Sequence, residues 1–89
     1  MDWGRIIFTR HASERADERE FDRWLIREAL ENGFHCPSER NPSCRLCVYK
    51  VREQYYTIVY ALEKGKTILV TIERSSPKEI KKAEKRWDK

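Results

Sequence analysis

Phe8-Thr9-Arg10-His11-Ala12-Ser13-Glu14-Arg15-Ala16-Asp17-Glu18-Arg19 is the stretch in which an apolar run gives way to a helix. Thr9 is a cap-type residue at the junction, with a hydroxyl suited to an unpaired amide of the first turn. Residues four apart share a helix face, so His11, Arg15 and Arg19 form one basic stripe. Ala12 and Ala16 form a small-residue stripe beside it, suited to close packing. A titratable imidazole beside permanent cations can bind and process a phosphate. The same stripe also reads as a solvated helix face.

Upstream, Trp3 to Phe8 reads as a short strand with Ile6, Ile7 and Phe8 as its apolar part. Downstream, a second helix is expected from Asp22 to Asn32. Its apolar positions Phe21, Trp24, Leu25, Ala29 and Leu30 recur at helical spacing, and Gly33 stands where a C-terminal glycine cap belongs. Phe34 to Ser43, with Pro37 and Pro42, reads as a mobile connector. Three strands follow, about Arg45–Arg52, Tyr55–Leu62 and Lys66–Glu73. The turns between them fall at Glu53-Gln54 and Lys64-Gly65. They should form an antiparallel meander. Simple alternation puts Ile68, Val70 and Ile72 on one side, facing Trp24 and Leu25, with Val70 at the centre of the core. Ser76, Pro77 and Glu79 spell a capping box that opens a last helix, whose apolar stripe is Ile80, Ala83 and Trp87.

This order predicts an α+β domain: a short N-terminal strand, two helices, a three-stranded antiparallel meander and a C-terminal helix. At 89 residues, one domain spanning 1–89 is expected. Charged residues make up 38% and the net charge is +4, which favours a polyanionic partner. There is no apolar run of membrane-spanning length, so a cytoplasmic location is expected.

The three cysteines and the second histidine offer a different chemistry. His35, Cys36, Cys44 and Cys47 lie within 13 positions, and Cys44–Cys47 has the spacing of a zinc half-site. Only one such half-site is present, and His35 and Cys36 are adjacent, so the expectation is no metal, with zinc as the alternative. Cys47, inside an expected strand, reads as a buried side chain.

The segment from Phe8 to Arg15 with Glu18-Arg19 resembles the helical opening of a bacterial family, domain of unknown function 4258. Ala29-Leu30-Glu31-Asn32-Gly33 fits the end of that family's second helix. Tyr56 to Tyr60 and Ile68 to Ser75 fit its strands. The resemblance runs from Ile6 to about Ser76. The family is similar in layout to the RelE/ParE group of toxin-antitoxin proteins, many of which cut messenger RNA.

The resemblance implies a toxin-like ribonuclease of the mRNA interferase type, cleaving RNA without metal or cofactor. Its partners would be RNA, including ribosome-bound message, and a cognate antitoxin. The alternative is a non-catalytic RNA- or protein-binding module. Cleavage needs proton transfer and cations on the phosphorane. His11, Arg15 and Arg74 are the minimal catalytic set. Lys50, Arg52, Tyr56, Tyr60 and Ser76, with Tyr49, are candidate RNA contacts.

Overall fold

Strand β1 (Arg5–Phe8) leads into helices α1 (Arg10–Glu18) and α2 (Arg23–Asn32). Strands β2 (Phe34–Pro37), β3 (Arg45–Val51), β4 (Gln54–Glu63) and β5 (Lys66–Arg74) follow, and helix α3 (Pro77–Trp87) comes last. The computed structural model describes residues 3–87, with side chains as far as residue 85. The class is α+β, as the sequence indicates. The sheet has five strands in the order β1-β5-β4-β3-β2. Strands β2 to β5 form an antiparallel meander, and β1 joins β5 in parallel.

Local sequence explains the helix ends. Thr9 Oγ1 accepts from the Ala12 amide at 3.1 Å, and Asp22 Oδ1 from the Leu25 amide at 2.8 Å. The capping box closes in both directions. The Glu79 amide donates to Ser76 Oγ at 3.2 Å, and the Ser76 amide to Glu79 Oε1 at 2.9 Å.

Helices α1 and α2 cover one face of the sheet. Ala12, Ala16, Phe21, Ile26, Ala29 and Leu30 bury there against Cys47, Ile58, Tyr60, Leu69 and Ile72. Helix α3 crosses the other face, where Ala83, Val48 and Thr57 are buried and Thr57 Oγ1 donates to Glu79 Oε1. The Trp87 side chain, expected in the α3 stripe, lies outside the described residues.

Four local expectations are corrected. First, the connector is not all loop: Phe34–Pro37 pairs with β3 as an edge strand, where a terminal Pro37 is tolerated. Second, Val70 is only half-buried, and Leu69 and Ile72 are the buried pair. The ladder passes from Val59↔Thr71 to Tyr60↔Leu69, so Val70 is an extra, bulged residue that breaks the alternation. Third, Trp24 is 70% exposed and Ile26 takes the inward place; the two lie about 200° apart around the helix. Fourth, the β3–β4 turn is Arg52-Glu53, one residue earlier than expected, with φ of 49° and 72°.

Gly33 does sit at the end of α2, but with φ −76° it is extended rather than left-handed. It is small for another reason. A Cβ there would lie 2.6 Å from both the Ala29 carbonyl oxygen and Cys47 Sγ. Gly65, at φ 65°, does supply the left-handed turn expected of it.

Candidate functional site

Strand β5 outruns its parallel partner. β1 pairs with it only from Lys66 to Leu69, so the edge beyond Leu69 has no strand beside it among the described residues. Unpaired carbonyls at a sheet edge need donors, and the residues capping the two ends of α1, Thr9 and Arg19, supply them. The Thr9 amide donates to the Leu69 carbonyl and Thr9 Oγ1 to the Val70 carbonyl, each at 3.2 Å. Arg19 Nε donates to the Ile72 carbonyl at 2.9 Å. Ala12 and Ala16, 0% and 4% exposed, let the helix lie close.

This placement lays the basic stripe of α1 against one carboxylate, that of Glu73. Arg19 Nη2 donates to Glu73 Oε1 at 2.7 Å, which leaves Oε2 to the other neighbours. Thr71 Oγ1 donates to Oε2 at 3.0 Å, Arg15 Nε lies 3.5 Å from it and His11 Nε2 4.0 Å. Arg15 Nε is also 3.5 Å from His11 Nε2, and its Nη1 pairs with Glu18 at 2.8 Å. The hydrogen bond from Arg19 holds the Glu73 carboxyl below the usual carboxylate range, with Thr71 and Arg15 adding to it against a smaller opposing effect of burial. The His11 and Glu73 side chains are both about half exposed, so the pair faces solvent.

Of the three expected catalytic residues, His11 and Arg15 meet, and Arg74 stands apart. Arg74 ends β5 opposite Tyr56, one residue beyond Glu73; it lines the groove on the α3 side with Glu73 but, among the described residues, shares no hydrogen bond or ion pair with His11 or Arg15. Glu73 takes the place beside His11 that the sequence reading gave to Arg74. Its signal was faint: a single carboxylate near the end of a strand.

The expected RNA contacts are scattered. Lys50 lies 4.0 Å from Glu53 and over the Tyr55 ring, and Arg52 forms the turn. Tyr56 packs edge-on against Phe21 at 5.0 Å. Tyr49 donates to Glu28 at 2.9 Å. Ser76 caps α3. Tyr60 is 1% exposed and presents no face to a base.

Tyr60 belongs instead to a cluster with His35 and Trp3. The Trp3 ring stacks on His35 at 5.1 Å and meets Tyr60 edge-on at 5.6 Å. His35 Nε2 lies 2.7 Å from the Leu30 carbonyl, which can only accept, so Nε2 carries the proton. Nδ1 of the neutral ring then accepts from the Tyr60 hydroxyl, also at 2.7 Å. Burial pushes the His35 pKa below its ordinary value.

That geometry also separates the candidate zinc ligands. The β2–β3 register sets His35 opposite Cys47 and Cys36 opposite Leu46. His35 and Cys47 therefore face α2, while Cys36 and Cys44 face the other side. Both nitrogens of His35 are already engaged, and Cys47 Sγ donates to the Ala29 carbonyl at 3.1 Å. Burial pushes the Cys47 thiol up to about 12. Among the described residues, no group of three or more His, Cys, Asp or Glu side chains is arranged to hold a metal ion.

On the face opposite α1 and α2, a groove of about 630 Å³ opens between the 38–44 loop, the sheet and α3. Leu46, Val59 and Val70 contribute its apolar floor, and Glu73 and Thr71 reach its lining. Glu39 of the loop bridges to α3, its carboxylate 3.0 Å from Lys78 Nζ and 3.3 Å from Lys82 Nζ.

The model of the family described as Domain of unknown function (DUF4258) matches residues 8–74, from the residue before the Thr9 cap to the end of β5. No curated protein and no solved structure matches the chain. No helix among the described residues is long and apolar enough to cross a membrane.

Proposed function

The chain belongs to the DUF4258 family, and on that premise we propose that it is a toxin-like ribonuclease that cleaves RNA without metal, with His11 and Glu73 as its proton-transfer pair. The observation that supports this is Glu73 Oε2 beside His11 Nε2 at 4.0 Å, with Arg15 Nε 3.5 Å from each, all accessible to a large substrate. A deprotonated carboxylate and an imidazole are the base and acid that such a transfer uses. Arg15 supplies positive charge where the phosphorane forms.

In this reading the phosphate enters between the two groups and displaces their present contact. Glu73 Oε2 takes the proton of the 2′-hydroxyl as its oxygen attacks phosphorus. The bond from phosphorus to the 5′-oxygen breaks, and His11, in its protonated form, delivers a proton to that oxygen. The products are a 2′,3′-cyclic phosphate and a 5′-hydroxyl. Arg19 is a positioning residue: it ties Oε1 of Glu73 to the backbone at Ile72. A cytoplasmic location and neutralisation by a cognate antitoxin belong to the same proposal.

A second reading, a non-catalytic binding module, draws on the pairing of cations with carboxylates: Arg15 with Glu18 and Glu73, and Lys78 and Lys82 with Glu39. The deciding experiment pairs growth on induced expression with cleavage of RNA by purified protein, alone and on ribosomes. Growth arrest with 2′,3′-cyclic phosphate ends is expected. Neither arrest nor cleavage leaves the binding module.

A further inference from the structure

The groove behind β5 has a ligand chemistry of its own. Its volume of about 630 Å³ lies within the range of small-molecule sites, and its floor is the apolar side-chain surface of Leu46, Val59 and Val70. One wall is α3, where Lys78 and Lys82 are four residues apart and so share a face. The opposite wall is the 38–44 loop, held in shape by its own hydrogen bonds. The Ser38 amide donates to the Cys44 carbonyl at 3.1 Å, and the Asn41 amide to Ser38 Oγ at 3.2 Å. From that loop Glu39 places a carboxylate between the two ammonium groups. Thr71, Glu73 and Arg74 line the same groove, so it adjoins the Glu73 side of the His11–Glu73 pair.

We propose that this groove is a nucleotide subsite, in which a base lies on Leu46, Val59 and Val70 and the adjoining phosphate replaces Glu39 on Lys78 and Lys82. The substrate class rests on the ribonuclease reading; the groove itself does not. An RNA strand cut at Glu73 would continue into it. Glu39 is then a built-in competitor that a phosphate must displace.

The test is titration of the full chain with a nucleoside 3′-monophosphate, followed by amide chemical shifts and calorimetry, with inorganic phosphate and the unphosphorylated nucleoside as separate arms. Saturable shifts at Leu46, Val59, Val70, Lys78 and Lys82 are expected with the nucleotide. Phosphate alone should move only the lysine end. Glu39→Gln should tighten nucleotide binding several-fold, and Lys78→Ala with Lys82→Ala should abolish it; all three side chains are exposed, so the fold should persist. The proposal is overturned if the nucleotide produces no saturable shifts, or if phosphate alone reproduces its full pattern. Saturable binding by a protein that cuts no RNA would end the ribonuclease reading and leave the subsite standing.

Discussion

Arg19 and Glu73 are 54 positions apart in the chain and 2.7 Å apart in the structure. The same guanidinium donates to the Ile72 carbonyl, so one side chain closes the free edge of β5 and orients the carboxylate that follows. The proposed proton-transfer pair depends on that junction.

If His11 and Glu73 transfer protons, His11→Ala and Glu73→Gln should each lower RNA cleavage by about 10²–10⁴-fold. Glu73→Gln keeps the shape of the side chain, so its melting curve at neutral pH should change far less than its rate. The acid limb of the wild-type rate should fall below the usual carboxylate range, because Arg19 holds Glu73 ionised. Unchanged rates in both variants would remove the pair from the mechanism.

Arg74 has a different expected role. Among the described residues it shares no hydrogen bond or ion pair with His11, Arg15 or Glu73, while it lines the groove beside Glu73, so Arg74→Ala should leave the cleavage step intact and weaken RNA binding. The slope of log affinity against log salt should shrink by about one. A loss of turnover at saturating RNA would instead place Arg74 in the reaction.

Acid should destabilise the fold in two stages. His35 has a pKa below its ordinary 6.5 because burial disfavours the charged ring. Its contribution is full above 6.5 and is lost as pH falls through the lowered value. Glu73 is lowered from 4.5, and its contribution goes in a second window beneath that. Melting temperature against pH should show both, and His35→Gln should flatten the upper one. Tyr60→Phe, which strips the donor from Nδ1 of His35, should cost about 1–2 kcal/mol.

The cysteines should behave as three separate thiols. Cys47, with its thiol pushed up to about 12, should resist alkylation at neutral pH until the protein unfolds, as mass spectrometry of peptides would read. A strong chelator should leave the melting temperature unchanged, because His35 and Cys47 face away from Cys36 and Cys44. Co-purified zinc with loss of stability on chelation would require a rearranged sheet.

The β3–β4 turn holds two ordinary residues in left-handed backbone, Arg52 at φ 49° and Glu53 at φ 72°. Arg52→Asn with Glu53→Gly supplies the residues that such a two-residue hairpin prefers, and should add about 1 kcal/mol of stability. A lower midpoint in denaturant would show that the Arg52 or Glu53 side chain contributes more than the strain costs.

The sequence by itself determined the features that depend on neighbours in the chain. The Thr9 and Asp22 caps, the Ser76–Glu79 box, the Gly65 turn and the three long strands are set by local geometry, where spacing alone brings groups together. The tertiary structure decided what depends on distant pairing. The Val70 bulge is a property of two strands in register, so alternation along one strand assigned its face wrongly. The edge strand Phe34–Pro37 exists because β3 offers it a partner. The sequence also put His11 and Arg15 on one face, since four residues make about one helical turn. Glu73 joined them because β5 extends past the end of β1, and α1 turns to cover the carbonyls left open there.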